Sequence, residues 1–134
     1  MVTTAARTQD TPAAQLLGWD CIEFWVGNAR AFAGFLMSAF GFHCTAYAGP
    51  ETGVRDKASY VLEQGDIRFV VSGALTANSP IAAHVRAHGD GVHDLAWLVD
   101  DARAAYDSAI ARGAHSVRAP WTETDSAGDL ELAQ

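Results

Sequence analysis

Residues 20–41 read DCIEFWVGNARAFAGFLMSAFG, and residues 92–113 read VHDLAWLVDDARAAYDSAIARG. Both stretches present the same signals in the same order. Each opens on a run of branched and aromatic residues suited to a strand. A short polar side chain follows, Asn28 in one and Asp101 (or its neighbour Asp100) in the other, able to cap a helix by accepting an orphan N–H. A helical segment comes next, and a glycine closes it, Gly41 or Gly113, suited to the left-handed position past a helix end. Val26 falls on Val99, an offset of 99 − 26 = 73, and at that offset Ala29-Arg30-Ala31 falls on Ala102-Arg103-Ala104. Ile22 then falls on Leu95 and Phe24 on Trp97, so strand positions expected to face inward stay apolar. So long a period does not suit a solenoid. It points to two copies of one βαβββ module, an α+β architecture of curved mixed sheets with helices packed outside.

Working outward, the first helix shows apolar residues at Phe32, Phe35, Leu36 and Ala39, the spacing of one buried stripe. A strand is expected from Phe42. The stretch 50–56, PETGVRD, is a loop by its proline, glycine and charges. Residues 58–64 and 67–72 read as two strands joined by Gly65-Asp66, a hairpin. Ser79 and Pro80 suit the first turn of a short helix over 81–89. In the second copy Ala102, Ala105, Tyr106, Ala109 and Ile110 are expected to form the buried stripe. Residues 115–123 look extended, with Pro120 confining part of them to an edge, and DLELAQ begins one more strand. Module one is expected over about 18–74. Module two, over about 90–134, is expected to stop before its last strand and leave an unpaired sheet edge. Residues 1–17 lack periodicity and read as a flexible arm.

Composition narrows the function classes. The chain has 134 residues, 49% of them hydrophobic and 19% charged, which suits one ordered domain. Its net charge is −7, with nine scattered basic residues, which argues against nucleic-acid binding. No apolar run approaches the length of a membrane span, and residues 1–15 hold no signal-peptide core. A cytoplasmic protein is expected, with Cys21 and Cys44 as two reduced, buried small residues.

Few residues suggest chemistry of their own. His84 and His88 stand at i, i+4, a zinc-compatible spacing when a third ligand and a base arrive. The residues between are Val85-Arg86-Ala87, so the glutamate base is missing and Arg86 would repel a cation. His93 and Asp94 point to opposite strand faces. His43 and His115 are isolated. Asp100 and Asp101 suit capping better than acid–base work, and Glu23 with Arg30 could form a surface pair. Gly89-Asp90-Gly91 is a turn, not a phosphate loop.

Tandem βαβββ modules are the hallmark of the vicinal oxygen chelate superfamily. Within it, FGFHCTAYAGPETG (40–53), ASYVLEQGDIRFVVSG (58–73), HVRAHGDGVHDLAWLVDDARAAYDSAIARGA (84–114) and HSVRAPWTE (115–123) resemble the N-terminal half of the 4-hydroxyphenylpyruvate dioxygenase family. The resemblance runs from about Gly18 to the end and is most specific in HGDGV and ASYVLxxGxxRFV. It implies a structural, oligomer-forming half of an enzyme whose absent C-terminal half holds Fe(II) through two histidines and a glutamate. The parent enzyme would convert the 2-oxo acid 4-hydroxyphenylpyruvate and O2 to homogentisate and CO2, in tyrosine breakdown. The places equivalent to the first two iron ligands are Cys21 and Asp94. A soft thiolate beside a hard carboxylate is a poor start for such a triad, so packing is expected there. No catalytic, cofactor-binding or metal residue is carried over. The alternatives are the related 4-hydroxymandelate synthase and a stand-alone ligand-binding member of the superfamily.

Overall fold

The computed structural model of the chain describes residues 14–125 and 128–134. These form two compact units, residues 19–97 and residues 14–18 with 98–134. The first unit carries a five-stranded sheet in the order β2-β3-β4-β1-β5, built from β1 (Leu16–Val26), β2 (His43–Ala48), β3 (Lys57–Gln64), β4 (Ile67–Ala74) and β5 (Gly91–Val99). Helix α1 (Ala29–Phe40) lies between β1 and β2, and α2 (Pro80–His88) between β4 and β5. The second unit holds α3 (Ala102–Ala111) and a two-stranded sheet of β6 (Trp121–Asp125) and β7 (Gly128–Leu132). The order is therefore β-α-β-β-β and, after α2, β-α-β-β.

Residues 1–13 of the expected arm lie outside the described residues. Strand β1 already begins at Leu16, and Gln15 donates its N–H to Asp100 Oδ1 at 2.7 Å. The hairpin forms as read: β3 and β4 pair antiparallel in full register, and Gly65 turns the chain at φ +57°. Strand β1 pairs in parallel with β4, setting Ile22 against Phe69 and Val26 against Gly73. The β2–β3 ladder slips between Cys44 and Ala46, a bulge that the residue pattern did not signal.

The repeat holds at the helix starts. Asn28 accepts from Ala31 N at 3.0 Å, and Asp101 accepts from Ala104 N at 2.8 Å, so caps 73 positions apart make the same bond. Ser79 caps α2 through Ala82 N, with Pro80 at the first helical position. Gly41 ends α1 at φ +77°.

The core is Val26, Ala29, Ala33, Leu36, Phe42, Leu62 and Val71. Phe24, Phe32 and Phe69 pack against it, with the Phe24 and Phe69 rings edge-to-face at 5.1 Å. This corrects the expected α1 stripe. The face toward the sheet is Ala29, Phe32, Ala33 and Leu36; Phe35 is 56% exposed and meets Phe40 at the surface, and Ala39 is exposed. Small residues win the inner face because α1 rides close to β4: a Cβ on Gly73 would stand 3.0 Å from Ala29 Cβ. The α3 stripe is corrected too. No residue of α3 is buried, and Ala109 and Ile110 are exposed. Within its unit α3 packs on β7, and a two-stranded sheet covers little of a helix. Leu95 and Trp97 are about half exposed, so they are not the inward-facing counterparts of Ile22 and Phe24.

Candidate functional site

Strand alternation puts Phe24 and Val26 on the helix side of the sheet and Trp19, Cys21, Glu23 and Trp25 on the other. On β4 the same side carries Arg68, Val70 and Ser72, and on β3 Ser59, Val61 and Glu63. This open face is the face of the sheet turned away from α1.

Its centre is a fixed hydrogen-bond chain. Ser72, fully buried, donates to Glu23 Oε1 at 2.8 Å, and Ser59 and Ser72 hydroxyls lie 2.8 Å apart. A hydroxyl has one proton, so Ser59 must donate to Ser72 and the chain ends on the Glu23 carboxylate. Glu23 thus serves Ser72, and the expected Glu23–Arg30 pair is not among the ion pairs of the described residues. Toward one end, Arg68 donates to Glu63 at 2.7 Å and reaches Asp20 at 2.9 Å; the Glu63 bond first, and then the Asp20 charge, push its guanidinium pKa further up. All three side chains are more than a third exposed, so the network orients Arg68 and adds little stability.

Cys21 sits beside this network. Burial, and next the negative charge of Asp20, push its thiol up to about 11, from an ordinary 9.0. A neutral thiol is neither a nucleophile nor a metal ligand. Cys44 is exposed on β2, against the expectation of two buried cysteines, because the bulge lies at this edge of the sheet. At pH 8 a thiol reagent is therefore expected to label Cys44 first and Cys21 much more slowly, with Cys21 accelerating only as pH approaches 11; equal rates at pH 8 would contradict the burial argument. The folded pKa is raised, so the contribution of the neutral Cys21 to stability is present below about pH 9 and is lost as pH rises toward 11.

At the other end of β1, Trp25 gathers histidines. Its ring stacks on His93 at 3.3 Å and meets His84 edge-on at 5.4 Å. His84 lies 5.0 Å from His88 and 5.5 Å from His93, between ring centroids. Sequence spacing found the His84–His88 pair but separated it from His93. The Gly89-Asp90-Gly91 turn brings them together: it folds β5 back beside α2, and Asp90 Oδ1 accepts from Gly27 N at 2.7 Å. Nearby, an open cleft of about 410 Å³ lies among Val26, Gly27, Leu75, Val85 and Arg86. His43 and His115 are exposed on β2 and in the stretch before β6, and Asp100 and Asp101 serve backbone N–H groups.

Of the two positions equivalent to iron ligands, Cys21 lies on β1 and Asp94, half-buried, on β5, where its negative charge adds to the upward push on the Cys21 thiol. Among the described residues no three His, Cys, Asp or Glu side chains are already set around one metal position. Among the described residues no helix is long and apolar enough to cross a membrane.

The sequence model of a family described as hydroxyphenylpyruvate dioxygenase, N-terminal, matches residues 10–128. The chain is 41% identical over 120 residues to 4-hydroxyphenylpyruvate dioxygenase of Danio rerio, and 42% identical over 117 residues to that of Dictyostelium discoideum. These alignments cover 89% and 87% of this chain, but only 30% and 32% of the relatives. Among solved structures, a triple mutant of 4-hydroxymandelate synthase from Streptomyces coelicolor superposes with a TM-score of 0.79 at 36% identity, over 92% of this chain and 35% of that one. The chain thus spans about a third of the length of these three proteins. The five-stranded mixed sheet with its helices is a fold of the vicinal oxygen chelate type, and the chain belongs to the family of hydroxyphenylpyruvate dioxygenase N-terminal domains.

Proposed function

We propose that this chain is the N-terminal, non-catalytic part of a 4-hydroxyphenylpyruvate dioxygenase. The parent enzyme converts 4-hydroxyphenylpyruvate and O2 to homogentisate and CO2, in the cytoplasm, as a homo-oligomer. The observation that carries the reading is the family match over residues 10–128, joined to a coverage of only about 30% of the curated relatives. The chemistry of the open face agrees with a scaffold role. At its centre the Glu23 carboxylate and the Ser59 and Ser72 hydroxyls satisfy one another. The iron would be held by the C-terminal part that the longer relatives possess. In the same reading, residues of about 18–74 and 90–134 are two copies of one module. Both the family model and the curated relatives are dioxygenases, which favours homogentisate over 4-hydroxymandelate as the product.

The test is to assay the chain alone, and the chain joined to the C-terminal two-thirds of a relative, with Fe(II), O2 and 4-hydroxyphenylpyruvate. The joined protein is expected to release homogentisate and CO2, and the chain alone to release neither. Turnover by the chain alone, or a joined protein that makes only 4-hydroxymandelate, would refute the assignment.

A further inference from the structure

We propose that His84, His88 and His93 form a binding site for a borderline divalent metal ion of the Zn2+, Ni2+ or Cu2+ class. Imidazole nitrogen suits these ions. His84 and His88 lie one turn apart on the same side of α2, and the turn at Asp90 delivers His93 of β5 to them. The spacing of the rings is the main observation. A metal–nitrogen bond of about 2.0–2.1 Å puts each ring centroid about 3 Å from the metal, so tetrahedral ligands have centroids about 5 Å apart. The His84–His88 and His84–His93 centroid separations, 5.0 Å and 5.5 Å, match.

Arg86 does not oppose the ion. It stands about 200° around the helix from His84, and it lines the cleft beside Val26 and Leu75. In the present rotamers the three donor sets do not yet converge on one point. His88 and His93 are exposed, so their rings can swing without disturbing the core. Convergence would draw His93 off the Trp25 ring, 3.3 Å away, which gives the site a built-in reporter. Water completes the coordination, and this set of three neutral ligands with an open fourth position is the donor pattern of zinc sites that retain a water.

The experiment titrates the whole chain with NiCl2, CuCl2 and ZnSO4 at about pH 7.5, following tryptophan emission and calorimetry. One equivalent is expected to saturate, with Ni2+ and Cu2+ quenching emission, and with the quenching absent in Trp25→Phe. His84→Ala and His93→Ala are each expected to weaken binding by about tenfold or more, while His43→Ala and His115→Ala leave it unchanged. His88→Ala, at an exposed position in the last turn of α2, gives the same readout if a change at His84 perturbs folding. Three results would overturn the site: no saturable binding below about 1 mM, full affinity in His93→Ala, or loss of binding in His43→Ala or His115→Ala.

Discussion

Leu62→Ala is expected to lower the unfolding free energy by about 2–5 kcal/mol, the usual range for emptying a fully packed leucine site. Leu62 is 0% exposed. It sits on β3, between Cys44 of β2 and Phe69 of β4, where the strand is paired on both sides. The neighbours that would have to fill the hole belong to a hydrogen-bonded sheet and to α1, and neither can collapse far. A domain is typically stable by about 5–15 kcal/mol, so the variant loses a large share of that margin. Urea denaturation reads the loss directly, as a lower midpoint at unchanged slope. Leu130→Ala serves as the comparison, since Leu130 is 53% exposed; it should move the midpoint little. Equal effects at the two positions would show that Leu62 does not anchor the core.

Gly73→Val is expected to destabilise by about 1–3 kcal/mol or more, for the opposite reason. Here nothing is removed; there is no room to add. A Cβ at this position would lie 3.0 Å from Ala29 Cβ, 3.1 Å from Ala29 N and 3.3 Å from Val26 O. Two of the three obstacles are backbone atoms, which have no rotamer to escape into. The start of α1 would have to lift away from β4, loosening the contacts of Ala29 and Ala33 with the sheet. Gly34 provides the contrast. It lies within α1, and a Cβ there meets nothing within 4 Å. Gly34→Ala should therefore stabilise, by up to about 1 kcal/mol, through helix propensity. Thermal melts of the two variants should move in opposite directions. A Gly73→Val melt coincident with the parent chain would mean that close helix–sheet approach does not set the position of α1.

The same close approach explains what the sequence could and could not disclose. Caps, turns and glycine stops were legible because they are local: Asn28, Asp101, Ser79, Gly41 and Gly65 each act within a few residues of themselves. The face of α1 was misread because hydrophobicity ranks Phe35 above Ala33, whereas a tight helix–sheet gap admits the smaller residue. The weak burial of α3 was hidden because its periodicity reports an apolar stripe without reporting how much surface is available to cover it. Of the open face, Cys21 was singled out, but not the Ser59–Ser72–Glu23 chain, since three residues from three strands share no sequence spacing. The histidine cluster was half visible for the same reason: His84 and His88 are tied by helical period, and His93 joins them only through the fold of the turn between.

The parallel pairing of β1 with β4 orders the assembly of the sheet in time. The β3–β4 hairpin closes between Gln64 and Ile67, whereas joining Ile22 to Phe69 must close a chain segment of 69 − 22 = 47 residues. With loop-closure entropy growing as 1.5RT ln n, the second step forfeits about 2 kcal/mol more chain freedom than the first. The hairpin can therefore stand as a template while β1 is still searching. Strand β1 is the one that carries Trp25 to the histidines and Glu23 to Ser72, so neither cluster can form before this strand zips onto a waiting edge, and β5, which brings His93, can add only after it.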